Sequence, residues 1–119
     1  MHKNIEKWIG IQFSSGPYAS EDYKQFQRAM RTDLRRQARE TGLELYTFSN
    51  GHYEFSAVLR YPENNRFIYV SIPDVRYWQD QWSNHVLYRT MKHEKDWTGG
   101  GNHFGAWGKI GELAYELVS

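Results

Sequence analysis

Between Lys92 and Phe104 the chain reads KHEKDWTGGGNHF, which crowds two histidines and two acids around three consecutive glycines. Residues of these types could hold a metal, cradle a phosphate or shape a turn. The chain has no cysteine. Disulfides and thiol catalysis are therefore excluded, and a transition metal would have to be held by His, Asp, Glu or water. Zinc bound without thiolates needs three or four imidazole or carboxylate ligands in a tetrahedron. His93 and Asp96 are close enough in sequence to converge, and the glycines let the chain double back to bring His103 beside them. His52, at the tip of a predicted hairpin, could join if that tip lies at the same end of the sheet. His85 is harder to recruit, because eight residues of strand span roughly 26 Å. The expectation is a structural zinc ion on His93 and Asp96 with help from His103 or His52. The competing reading is that His93 and Asp96 only hydrogen-bond within a turn.

The other chemistries fit less well. A phosphate loop needs a lysine and a hydroxyl residue directly after its last glycine, whereas Gly101 is followed by Asn102 and His103. Phe104 stands where a dinucleotide fingerprint places its final glycine. A metal-dependent hydrolase could use Glu94 or Asp96 as a base, yet no nuclease motif, serine elbow or pair of carboxylates can be traced. The residues read more readily as a binding protein than as an enzyme.

A second candidate is electrostatic. Between residues 24 and 39 the chain carries six basic residues (Lys24, Arg28, Arg31, Arg35, Arg36 and Arg39) against one acid, Asp33. Arg28, Arg31, Arg35 and Arg39 recur at spacings of three, four and four, which makes a stripe along a helix. Arginine forks suit phosphates and carboxylates. Such a stripe either meets solvent alone or contacts nucleic acid or an acidic protein surface.

These residues need elements to position them. Tyr23, Phe26, Met30, Leu34 and Ala38 form an apolar stripe that predicts a helix over 20–41, with Ser20 as its cap, Glu21 and Asp22 in its first turn and Gly42 at its end. Ile9, Ile11 and Phe13 alternate as in a strand ahead of it. Leu43, Leu45 and Thr47 predict a strand, and Asn50-Gly51 a tight hairpin. Tyr53 to Leu59 and Phe67 to Ile72 supply two further strands, joined by the turn YPENNR (61–66). The stretch 75–85 is irregular, with Tyr77, Trp78 and Trp82 expected over a sheet edge, and 86–93 reads as a strand. Asn102 would cap a final helix in which Phe104, Trp107, Ile110, Leu113 and Leu117 share a face. Gly105, Gly108 and Gly111 suggest close approach of that helix to another backbone, or equally make it the least stable element of the domain. The order predicts an α+β fold: a single antiparallel sheet with a long basic helix near the N-terminus and a C-terminal helix.

Length and composition agree with this. A chain of 119 residues suits one domain, residues 1–119. Mean hydropathy is −0.82 and aromatics make up 17%, so rings must build much of the core. No apolar run approaches the roughly 20 residues of a membrane span, and MHKNIEKWIGIQF lacks the apolar stretch of a secretory signal. A cytoplasmic location without a membrane partner is expected.

Four segments carry a resemblance: SGPYASEDYKQFQRAMR (15–31), GHYEFSAVL (51–59), SIPDVRYW (71–78) and RTMKHEKDWTGGGNHF (89–104). Together they resemble a group of small proteins carried by phages, plasmids and conjugative elements of Gram-positive bacteria. Some proteins of that setting are anti-CRISPRs, which inhibit Cas9 of the type II system. The resemblance implies a mobile-element inhibitor that binds a host defence protein stoichiometrically, here the Cas9–guide RNA complex, and blocks DNA loading or cleavage. Mimicry of DNA in the basic channels of Cas9 would require a strongly acidic surface, whereas the net charge is +1. Docking on an outer or inter-domain surface is expected instead. The alternative is a nucleic-acid-binding or metal-dependent nucleic-acid-processing accessory protein.

Overall fold

The computed structural model describes residues 3–9, 21–51, 53–75, 79–96 and 100–119. Five strands lie in sequence order in one antiparallel sheet: β1 (Glu44–Asn50), β2 (Phe55–Tyr61), β3 (Arg66–Ile72), β4 (Val86–Met91) and β5 (His103–Gly105). Helices α1 (Lys3–Glu6), α2 (Glu21–Glu40) and α3 (Ile110–Val118) accompany the sheet. The α+β class with a single antiparallel sheet follows directly.

Helix α2 buries Tyr23, Phe26, Met30, Leu34 and Ala38 completely. Burial of a side chain such as Phe26 contributes roughly 1.5–3 kcal/mol. The helix stops in a Schellman motif: Gly42 takes φ 84°, and the Leu43 and Gly42 N–H groups bond Ala38 and Arg39 carbonyls at 2.8 and 3.2 Å. Opposite α2, the core face of the sheet presents Phe55, Ala57, Leu59, Ile68, Val70, Ile72, Val86 and Tyr88. Trp8, Tyr23, Phe26, Phe55 and Trp82 join as a cluster of rings with centroids 5.4–5.6 Å apart, several of them edge to face. Trp82 is therefore core rather than an edge cover, carried there by a 3-10 helix, Gln79–Asn84, in the irregular stretch. Tyr77 and Trp78 lie outside the described residues. A smaller cluster of Val58, Phe67 and Met91 occupies the other face of the sheet.

Several expectations need correction. Ile9 lies in the turn after α1 rather than in a strand, and Ile11 and Phe13 are outside the described residues. The alternation Leu43, Leu45, Thr47 breaks because Leu45 pairs with Leu59 but Thr47 with Val58, so Tyr46 is an inserted bulge residue. Phe48 then takes the core side, and Tyr46 sets its ring edge-on against Phe67 at 5.3 Å. Asn50-Gly51 is not a two-residue hairpin centre. Asn50 pairs with Phe55, the Gly51 N–H bonds the Glu54 carbonyl at 3.1 Å, and Gly51 has no positive φ. The predicted turn at 61–66 does form, with Asn65 in the left-handed region at φ 57°.

The final helix begins at Ile110, not at Asn102. Residues 103–105 instead add a strand to the β4 edge, and Trp107 is buried by a short 3-10 turn, Trp107–Lys109. What holds this arrangement is a buried polar clamp. The Asp33 carboxylate, 4% exposed as a residue, accepts from Trp107 Nε1 at 2.8 Å, Gln37 Nε2 at 3.0 Å and Arg36 at 2.8 Å. Gln37 also donates to the Trp107 carbonyl and accepts the Gly111 N–H, both at 2.9 Å. It thereby satisfies one of the N–H groups that the first turn of α3 cannot pair internally.

Gly111 makes this contact because it has no side chain. A Cβ there would lie 2.9 Å from the Gln37 Cβ and carbonyl oxygen and 3.0 Å from its carbonyl carbon. Helix propensity alone favours Ala over Gly by about 1 kcal/mol. Overpacking against a backbone that cannot yield costs about 1–3 kcal/mol. Gly111→Ala is expected to lower the urea midpoint, and a raised midpoint would mean that α3 and α2 do not approach this closely.

Candidate functional site

The clamp divides the basic residues of α2 into two kinds. Arg36 belongs to the structure: Asp33 and then Glu40 hold its guanidinium by hydrogen bonds, which raise its pKa above the ordinary arginine value. Lys24, Arg28, Arg31 and Arg39 are exposed and Arg35 is half-buried. The helical repeat puts these five on a stripe that flanks the core stripe. Arg28 pairs with Glu21 at 3.0 Å, with side chains 64% and 68% exposed. A pair so open to water contributes about 0–1 kcal/mol and is easily exchanged. Lys24, Arg31, Arg35 and Arg39 form no ion pair with a described residue. Arg28 and Arg39 are eleven residues apart, a row of roughly 16 Å on a rigid helix.

Helix α1 lies against α2, anchored by the buried Ile5 and Trp8. Between the two helices a cleft of about 170 Å³ is lined by Asn4, Gln25, Arg28, Ala29 and Thr32. Every polar side chain in that lining has a hydrogen-bond donor, the amides and the hydroxyl can also accept, and no carboxylate is among them. Gln25 and Thr32 flank Arg28 at helical spacing, a polar ridge visible in the sequence. Its significance was not, because nothing in the sequence shows that α1 packs beside it.

Of the opening stretch, residues 92–96 form a turn at the end of β4 and residues 103–104 enter β5. The buried Asp96 accepts the Lys92 N–H on its carboxylate at 2.9 Å and donates its own N–H to the His93 carbonyl at 3.0 Å. His93 is exposed, and its Nδ1 accepts the Lys95 N–H at 3.2 Å. The Asp96 carbonyl accepts from Arg89 at 3.3 Å. Gly100, at φ 75°, runs so close to β4 that a Cβ would meet Thr90 Oγ1 at 2.7 Å and the Thr90 carbonyl at 2.8 Å. That glycine lets the chain turn back onto the β4 edge, and Gly101 faces open space. A cavity of about 400 Å³ beside the turn mixes Arg66 and Lys92 with Asp96 and the apolar Phe67, Met91 and Val118, a lining that favours no single ligand class.

His103 pairs with Tyr88, whose ring it stacks on at 5.3 Å, three strand residues and roughly 10 Å short of the end of β4. His52 lies outside the described residues. Gly51 and Tyr53, which flank it, lie at the end of the sheet opposite the turn at 92–96. Among the described residues no three ligating side chains stand together as a metal centre. A third ligand for His93 and Asp96 would have to come from elsewhere. No protein-family model, curated protein or solved structure matches the chain.

The turn geometry separates its two best metal candidates. Asp96→Ala removes the acceptor of a half-buried amide and is expected to cost about 1–3 kcal/mol. His93→Ala alters an exposed side chain and is expected to stay within about 0.5 kcal/mol. A stretch that is only a turn leaves the wild-type melting curve unmoved by EDTA. A stoichiometric zinc signal by elemental analysis, with equal losses in the two variants, would support the metal centre.

Proposed function

We propose that this chain is a binding protein of a mobile genetic element that inhibits a host defence protein by stoichiometric contact, with the Cas9–guide RNA complex as its target. The outer face of α2 is the contact surface. One observation carries the reading: a row of cations, of which Lys24, Arg31, Arg35 and Arg39 form no ion pair with a described residue, displayed beside the side of the helix that is locked to the sheet. Such a row recognises an anionic surface, and because the helix is already rigid, little ordering entropy is lost on docking. The sequence resemblance supplies the biological setting. Inhibition of this kind needs no catalytic group and no metal.

The same cations favour a second reading, a nucleic-acid-binding accessory protein, since arginine forks match phosphates as well as they match carboxylates. Size-exclusion chromatography of the protein with the Cas9–guide RNA complex and with bare DNA separates the two. Co-migration with the complex is expected; co-migration with DNA alone would overturn the inhibitor reading. The double variant Arg31→Glu, Arg35→Glu should weaken co-migration at least about tenfold, because two charges reverse. Its melting temperature should hardly change, as both side chains lie on the outer face. Wild-type affinity in this variant would reduce the row to a solvated face.

A further inference from the structure

The cleft between α1 and α2 opens beside this row, and Arg28 belongs to both. Its polar lining consists of two amides and a hydroxyl, which donate and accept, and a guanidinium, which only donates; Asn4 already has a partner in the structure. Gln25 and Thr32 make no side-chain hydrogen bond with another described residue. Among the described residues, the carboxylate bonded to Arg28 is Glu21, through a pair exposed to water. Helix α1 and the turn after it add the exposed Lys3 and Lys7 against one exposed acid, Glu6.

We infer that this cleft seats a phosphate of a nucleic-acid backbone, whose following phosphates run along Arg31, Arg35 and Arg39. The inference rests on the outer face of α2 being the contact surface and deepens it by naming the partner's chemistry. A phosphodiester offers two unshared anionic oxygens and two ester oxygens, enough acceptors for several converging donors at once. A carboxylate on a protein surface offers two. A polynucleotide also repeats its anions along a line, as the arginines repeat their cations, whereas acidic side chains of a folded protein seldom do. On docking, Arg28 exchanges the Glu21 carboxylate for the phosphate, at little cost because that pair is in water. Phosphate contacts of this type position a partner without reading its sequence.

Neutral and charged donors leave different signatures, which makes the inference testable. Fluorescein-labelled single-stranded RNA and duplex DNA are titrated with wild type, Gln25→Ala/Thr32→Val, Thr32→Val alone and Arg28→Gln over a range of salt. Wild type should bind, with affinity falling as salt rises. Losing two neutral donors should weaken binding about tenfold while the slope of log affinity against log salt stays the same. Arg28→Gln should weaken binding and also reduce that slope by about 0.7–0.9. Melting curves verify folding, and Thr32→Val supplies a second variant if the double one is unstable. Wild-type affinity in folded Gln25→Ala/Thr32→Val, or in folded Thr32→Val, overturns the phosphate seat. If wild type binds neither oligonucleotide yet still co-migrates with the Cas9–guide complex, the seat falls and the contact surface stands. If reversing Arg31 and Arg35 also has no effect on that complex, both fall.

Discussion

A carboxylate taken out of water governs this fold. An ionised group in the interior costs several kcal/mol unless its lone pairs are met by donors, and Asp33 meets that condition only when Trp107, Gln37 and Arg36 are all in place. Three elements are fixed in consequence. The Trp107 indole must sit under α2, which ends the last strand at Gly105 and compresses the connection into a 3-10 turn. The first turn of α3 must begin where Gln37 can accept the Gly111 amide. Helix α2 cannot roll about its axis without stranding the charge, so the direction of its outer face is determined from inside.

Each residue of α2 is thus committed to one of two tasks. The inner side mixes apolar packing with a saturated polar pair, Asp33 and Gln37, and the exposed side carries more cations than acids, with Glu21, Thr32 and Glu40 interspersed. Arg36 sits at the boundary, half-exposed, and neutralises the buried acid from the rim. The remaining cations are supernumerary to the fold: their removal would cost the domain little, and their retention on a rigid surface is what a partner would use. The polar cleft against α1 extends that surface sideways.

The helix over 21–40, its glycine stop, the strands β2 to β4 and the 61–66 turn were legible because each is announced by local periodicity or turn chemistry. What was not legible depended on distant partners. Tyr46 enters β1 as an extra residue because the ring packs against Phe67 on the far face of the sheet, which flips the alternation after it. Residues 103–105 have a helical apolar spacing but become a strand, since β4 offers an unpaired edge and Gly100 allows the return. The close approach suggested by the late glycines does occur at Gly111, through a different helix start. Of the candidate site, the arginine row could be read from spacing. Asn4, Gln25 and Thr32 could not, because their meaning arises where two helices meet. His93 and Asp96 proved to be bonded within their own turn.

The clamp also dictates when the domain can become itself. Its bonds join positions 74 residues apart, Asp33 with Trp107 and Gln37 with Gly111. Closing so long a loop carries an entropic cost that local helix formation does not. During synthesis α2 and the first hairpins emerge early, with Arg36 and Gln37 already beside the acid, yet its third donor is missing until Trp107 arrives. The order of events is therefore local structure first and a late, nearly all-or-none docking of the final helix. Until then the apolar side of α2 lacks its C-terminal cover, so the growing chain is most vulnerable to misassociation just before that docking.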